Sequence, residues 1–279
     1  MIHTAIQLKA KVRNIANGDD NKAKALLRIY FMERFVERVS VSKYRENFIL
    51  KGGLLVASLL GVNMRATMDI DTTVKALPLN QKAAEMIVTE ICNIQLEDGV
   101  VFKITEVSTI MDEFDYPGVR FHIQAMLDKM RNVIKLDIST DDVITPRAIE
   151  YKYKFMFEER SIFIYSYNTE TLLAEKLQTI INRGIANTRL RDFYDVCEIA
   201  EYETIDWKIL KKAFSATCRK RGTIFSEEKV SNEVDLIAKD YEMEKRWTQF
   251  KNKNYFVGDL EWDAVMKAVK KFANKVMET

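Results

Sequence analysis

The chain has 279 residues, of which 47% are hydrophobic and 30% are charged, and its formal net charge at pH 7 is +2. This ordinary mixture fits one large domain or two modest ones, and it excludes a nucleic-acid binder that is strongly basic overall. The cysteines (Cys92, Cys197 and Cys218) are too far apart for a disulfide framework or a paired zinc motif, and two histidines (His3 and His122) give little support to a His-rich zinc site or a Ser-His-Asp triad.

The N-terminal residues lack the long apolar stretch of a signal peptide, and the longest nearly apolar run, which begins at Leu54, is too short to span a bilayer. We therefore expect a soluble cytoplasmic protein with no membrane association. Apolar residues at helical spacing predict two helices within the first forty-odd residues.

The hydrophobic period changes in the middle of the chain. Short apolar or alternating runs predict strands at residues 48–50, Asp69–Val74, 101–107, 119–125, 133–138 and 162–167. Helical spacing predicts helices at residues 54–60, 81–96, 169–183, 189–202, 205–219, 226–250 and 259–277. The order indicates an α+β core at residues 1–168, with N-terminal helices and a mixed sheet, followed by a helical C-terminal domain at residues 169–279.

Two aspartates in the second predicted strand carry the clearest chemical signal. Side chains alternate across a strand, so Asp69 and Asp71 share one face, while Met68 and Ile70 point to the other and can anchor the strand in a core. Two carboxylates at this spacing can hold one or two Mg²⁺ ions for a phosphoryl displacement. A lone Asp-x-Asp is weak evidence, however.

Gly52 and Gly53 lie between a predicted strand and a predicted helix. There the backbone can approach a triphosphate closely, and the N–H groups of a helix start favour anions, although such a pair is often only a turn. Asp137 shares a strand with the apolar residues 134, 136 and 138 and points away from them. It is either a solvated residue or, if its strand neighbours the first, a third metal ligand.

The ordered combination resembles a known family, the AbiEii/AbiGii abortive-infection nucleotidyltransferase toxins, including mycobacterial relatives of the MenT type. The resemblance covers roughly residues 45–202. It rests on two blocks of residues: Lys51, Gly52, Gly53, Gly61, Arg65, Thr67, Asp69 and Asp71, and then Glu175, Lys176, Arg183, Arg189, Leu190, Arg191, Asp192, Phe193, Tyr194 and Asp195.

The resemblance implies a DNA-polymerase-β-like nucleotidyltransferase core that uses Mg²⁺ (or Mn²⁺) and a nucleoside triphosphate. It also implies a bacterial toxin with a separately encoded antitoxin, and some relatives add nucleotides to the 3′ end of tRNA. By position, Asp69 and Asp71 are the metal carboxylates, Lys176 contacts the triphosphate, and Asp192 or Asp195 is the late acidic residue.

One position departs from the wider pattern. Nucleotidyltransferases usually carry Gly-Ser where this chain has Gly52 and Gly53, so a serine hydroxyl contact to phosphate is lost. Thr67, two residues before Asp69, is a candidate to supply that hydroxyl.

In the second block, Lys176 falls within the apolar stripe of its predicted helix, so its ammonium must either extend to solvent or reach an anion. The resemblance favours phosphate contact, and Arg183, two turns further on, can add charge. On the next helix Asp192 flanks the apolar stripe, whereas Asp195 is expected to lie further toward solvent. This favours Asp192 over Asp195 as the site residue. The alternative for Asp192 is an acidic residue in the first helical turn that the helix dipole stabilises.

The residues leave three functions open. The first is an enzyme that transfers nucleotides from a triphosphate to an RNA acceptor, most simply tRNA, and a basic stretch at residues 204–222 is either part of its RNA surface or a solvated helix face. The second is a nucleotide- or RNA-binding module without turnover, for which Gly53 is the hint. The third is transfer to a small-molecule or protein hydroxyl.

Overall fold

A computed structural model of the chain describes residues 2–63, 65–77, 80–111 and 117–278. The chain divides into two compact units. The first comprises Met1–Asp142 and Ile149–Ser166, and the second comprises Val143–Ala148 and Tyr167–Thr279. The predicted α+β class is confirmed, because the first unit contains a mixed sheet and the second is built from helices.

Among the described residues the sheet has seven strands. They are β1 (Phe48–Lys51), β2 (Asp69–Val74), β3 (Val100–Met111), β4 (Pro117–Leu127), β5 (Met130–Thr140), β6 (Ile149–Lys154) and β7 (Ser161–Ser166). Their order is β3-β4-β5-β2-β1-β7-β6. The β1–β7 and β2–β5 pairs are parallel and the others are antiparallel, so the sheet is mixed.

Four helices accompany the sheet in the described part of this unit. They are α1 (Ala5–Ala16), α2 (Asp20–Val41), α3 (Gly52–Leu60) and α4 (Gln81–Cys92). Asp19 caps the start of helix α2, and its carboxylate accepts hydrogen bonds from free N–H groups of the first turn. Its apolar face, including Phe35 and Val36, lines a shared core with Leu50 of β1 and Ile70 of β2. Burial of this face fixes which side of β1 and β2 is internal.

The second unit is helical in its described residues. Its helices are α5 (Thr169–Arg183), α6 (Leu190–Tyr202), α7 (Trp207–Lys220), α8 (Glu227–Lys239), α9 (Tyr241–Lys253) and α10 (Trp262–Met277), with a short 3₁₀ turn at Gly184–Ala186. The single helix predicted at residues 226–250 is wrong. The extended backbone of Asp240 ends α8, and its carboxylate caps α9 by accepting a hydrogen bond from Met243 N at 2.8 Å.

The described helices include none that is both long and apolar enough to cross a membrane.

Candidate active site

Strands β2 and β5 bring three carboxylates together in the first unit. The strands run parallel, with Asp71 directly opposite Asp137, and Asp69 lies two residues before Asp71 on the same face. Each of the three half-buried side chains offers an oxygen, and these oxygens lie within 4.8 Å of one another. Strand β5 is thus a neighbour of β2, which is the condition under which Asp137 can join the other two aspartates. A cluster of hard oxygen ligands at this separation suits a divalent cation such as Mg²⁺.

The opposite face of β2 is only partly as predicted. Ile70 is fully buried and anchors the strand, whereas Met68 is 43% exposed because it lies in a bend before β2 begins. The anchor therefore comes from Ile70, together with Thr72 and Val74 further along the strand.

Two cations flank the carboxylates along one row of the sheet. Arg120 on β4 pairs in register with Asp137, and Lys51 on β1 pairs in register with Asp71. The Arg120 guanidinium donates to both oxygens of Asp137, from Nε at 2.8 Å and from Nη2 at 2.6 Å. Lys51 Nζ lies 2.5 Å from Oδ2 of Asp142. Across the sheet the row therefore reads Arg120, Asp137, Asp71, Lys51, with a basic residue at each end and two acidic residues between them.

The sequence did not identify Arg120. It lies between the buried residues Val119 and Phe121, so alternation places it on the polar face of β4. Other residues of that strand lie on the same face. Only the register of β4 against β5 distinguishes Arg120 from those other polar residues.

Burial and neighbouring charge make Asp71 hard to ionise. Burial raises its pKa from 3.8 to about 6, and the nearby carboxylates of Asp69 and Asp137 add to the rise. The Lys51 ammonium and the backbone N–H of Gly53 act in the opposite direction. A divalent cation would supply the missing positive charge, so the cluster is electrostatically suited to bind one.

The two glycines are required by close packing at the start of α3. Gly52 has φ +65°, and a Cβ atom there would lie 2.0 Å from Oδ2 of Asp71. Gly53 donates its backbone N–H to the same oxygen at 3.4 Å. Only residues without a side chain allow the backbone to approach the Asp71 carboxylate this closely.

Thr67 fills the space beside Gly53. A Cβ atom on Gly53 would lie 2.5 Å from Oγ1 and 3.2 Å from Cβ of Thr67. Thr67 is buried, and its hydroxyl donates to the backbone oxygen of Asp69 at 3.3 Å. The threonine hydroxyl therefore lies too close to the position that the Cβ atom of a serine at position 53 would take. Glycine avoids this collision.

The second unit contains a separate ionic cluster between α5 and α6. The buried ammonium of Lys176 lies 2.9 Å from Oδ1 of Asp192 and 2.7 Å from Oδ2 of Asp195. Arg189 Nε lies 2.8 Å from the other oxygen of Asp192. Of the two possibilities for Lys176, solvent or an anion, the ammonium reaches anions. Arg183 is half-buried in the last turn of α5.

The prediction that Asp195 lies toward solvent is wrong. Its side chain is fully buried, and the carboxylate of Asp192 is nearly so. Helix α6 contacts α5, α9 and α10, so a residue outside its apolar stripe still meets another helix. Burial alone would raise the pKa of Asp192, but the charges of Lys176 and Arg189 outweigh it and hold that pKa below its usual range.

Comparison with known proteins gives the family. Residues 34–268 match the family model described as nucleotidyl transferase AbiEii toxin, type IV TA system. This chain belongs to the AbiEii family. The resemblance inferred from its sequence motifs is confirmed, and the match extends well beyond residues 45–202.

Two solved structures from Helicobacter pylori share the fold of this AbiEii protein. One is a candidate nucleotidyltransferase with a TM-score of 0.53 and 15% identity, covering 91% of this chain and 95% of that one. The other is JHP933, with the same TM-score and identity, covering 91% of this chain and 92% of that one. Among curated proteins, none matches this sequence. The family is one of nucleotidyltransferase toxins, and a toxin–antitoxin system includes a separate antitoxin.

We predict that Asp71→Asn stabilises the metal-free protein at high pH. The folded-state pKa of about 6 lies above the ordinary 3.8, so the folded state retains a proton that the unfolded state has lost. Wild-type stability therefore falls as pH rises through this interval, and asparagine removes that loss, on the order of 3 kcal/mol.

Urea unfolding in a chelator, at pH values below, within and above the interval, measures this gain. The exposed residue Asp20 provides the control, since Asp20→Asn should give no gain that grows with pH. Parallel stability curves for Asp71→Asn and wild type would show that the folded state does not disfavour ionisation of this carboxylate.

We predict that Gly53→Ser destabilises the protein by about 1–3 kcal/mol, the usual cost of overpacking a close contact. The loss should be smaller in a Thr67→Ala background, because that change removes the oxygen that lies 2.5 Å from the new Cβ. A double-mutant cycle of unfolding free energies measures the coupling. Additive effects would contradict the packing described here.

We predict that Lys176→Met lowers the free energy of unfolding by about 3–5 kcal/mol, because it removes a buried ammonium that contacts two buried carboxylates. Lys135→Met removes a lysine from an exposed position and should change stability by less than about 0.5 kcal/mol. Chemical denaturation of both variants tests this. Equal stability of the two would mean that the Lys176 ammonium does not balance the buried carboxylates.

Proposed function

We propose that this AbiEii protein is a divalent-metal-dependent transferase that adds nucleotides from a nucleoside triphosphate to an RNA acceptor, with the 3′ end of tRNA as the preferred acceptor class. The observation that carries the proposal is the cluster of Asp69, Asp71 and Asp137 in a member of a nucleotidyltransferase family. The cytoplasm supplies both the triphosphate and the RNA, so we assign the activity to that compartment.

The three carboxylates would hold Mg²⁺ or Mn²⁺. They fit the ion by type and spacing, because they offer hard oxygen atoms within 4.8 Å of one another and carry more negative charge than their neighbours offset. When bound, such an ion activates the attacking oxygen and balances charge on the transferring phosphate.

The remaining residues would bind and orient the nucleotide. We assign Gly52 and Gly53 to close approach of the triphosphate to the backbone of α3, with the Thr67 hydroxyl beside them. We assign Lys176, fixed by Asp192, and Arg183 to triphosphate charge.

Asp192 is a better candidate than Asp195 for the late acidic residue. Asp192 shares its carboxylate between Lys176 and Arg189, and the Arg189 side chain is 54% exposed, so this pair extends to the surface. Asp195 is fully buried behind Lys176. Its role in the proposal is to hold the ammonium in position.

We predict that purified protein incorporates label from at least one α-labelled nucleoside triphosphate into total bacterial RNA when Mg²⁺ or Mn²⁺ is present. Asp69→Asn should reduce incorporation by roughly 100-fold or more, because charge stabilisation by a metal ion is worth several kcal/mol. Asp20→Asn makes the same chemical change at an exposed position that is not part of the cluster and should leave incorporation unchanged.

Periodate oxidation identifies the acceptor, because it destroys the terminal diol of RNA. Loss of labelling after oxidation supports addition at the 3′ end. Label in small molecules or protein would instead support transfer to another hydroxyl, and tight nucleotide binding without label in any fraction would support a binding module.

A further inference from the structure

The ion pair between Arg120 and Asp137 uses both oxygens of a candidate metal ligand. Nε of Arg120 lies 2.8 Å from Oδ1 and Nη2 lies 2.6 Å from Oδ2. Register places the two residues directly opposite each other on β4 and β5, and it places Asp137 directly opposite Asp71. The fork-shaped contact is therefore fixed by the sheet itself and is part of the carboxylate cluster.

A guanidinium and a metal ion compete for such a carboxylate. Arginine stays protonated in proteins, so Arg120 cannot leave Asp137 by losing its charge. Each Asp137 oxygen has a second lone pair that could bind a divalent ion, but an ion there would repel the Arg120 guanidinium at short range. The Arg120 side chain is 33% exposed, which gives it access to solvent when its ion pair with Asp137 is broken.

We propose that Arg120 is the resident counter-ion of Asp137 and that a divalent ion must displace it before Asp137 becomes a metal ligand. The inference rests on the proposed function only in taking the cluster as the metal site. Arg120 then sets the threshold of metal concentration at which the third carboxylate joins Asp69 and Asp71, and so regulates assembly of the complete site.

The opposite role for Arg120 makes the opposite prediction. If the guanidinium only orients Asp137 toward the ion, removing it should weaken metal binding. If it acts merely as one more nearby positive charge, then removing a different cationic side chain from the same face should have the same effect. Lys135 serves this purpose, because it lies two residues before Asp137 on β5 and directly opposite Asp69.

The test is Mn²⁺ binding to the full-length, nucleotide-free protein, measured by electron paramagnetic resonance of the free ion. We expect Arg120→Met to tighten binding about threefold to fivefold, the size of a partly exposed ion pair. Arg120→Lys keeps the charge but not the fork and should tighten binding by less. Lys135→Met should change it by less than about twofold.

A double-mutant cycle with Asp137→Asn makes the test specific. In that background the effect of Arg120→Met should disappear, because no carboxylate remains for the guanidinium to occupy. Unchanged or weaker binding by Arg120→Met, or an equal gain from Lys135→Met, would overturn the proposal. If Arg120→Met does not fold, unchanged or weaker binding by Arg120→Lys does the same.

The outcome is separable from that of the transferase proposal. Tighter Mn²⁺ binding by the Arg120 variants together with no labelling of RNA would leave the displacement intact and reject the RNA activity. Normal labelling of RNA together with unchanged Mn²⁺ binding by the Arg120 variants would support the RNA activity and reject the displacement.

Discussion

Repulsion among three carboxylates is the constraint on which the candidate site depends. Asp69, Asp71 and Asp137 present oxygens within 4.8 Å of one another because two parallel strands place them there, and the strands cannot slip without turning Ile70 out of the core. Burial and the like charges of Asp69 and Asp137 disfavour ionisation of Asp71 and raise its pKa. The fold therefore maintains a charge imbalance that a cation relieves.

The surrounding residues are organised by that imbalance. Arg120 and Lys51 stand at the two ends of the row, and the start of α3 brings a backbone N–H to Asp71. A side chain at position 52 would collide with Asp71, and a side chain at position 53 would collide with Thr67. Sites of this type lower stability in favour of function, which is the usual trade-off at functional centres.

In the second unit the buried charge is a lysine ammonium that contacts carboxylates. Lys176 is buried between α5 and α6, and two aspartates of α6 contact its ammonium. Contacts with two buried carboxylates fix the position of a flexible side chain. In the proposed enzyme, that is the property a triphosphate contact needs.

Sequence patterns predicted what depends on local order. Alternation placed Asp69 and Asp71 on one face, and helical spacing placed Lys176 within an apolar stripe. The patterns missed what depends on tertiary packing: the Arg120–Asp137 pair requires the register of β4 on β5, and the burial of Asp195 requires the neighbours of α6. The break between α8 and α9 at Asp240 was also missed. Aspartate is a common N-cap residue, but this one lies inside a continuous helical spacing of apolar residues.

The most direct test of the central claim is a crystal of the protein soaked in Mn²⁺, with anomalous scattering used to locate the ion. Our account predicts an anomalous peak within coordination distance of carboxylate oxygens from both Asp69 and Asp71. Ordered Mn²⁺ elsewhere in the crystal, with no peak at these two aspartates, would contradict it.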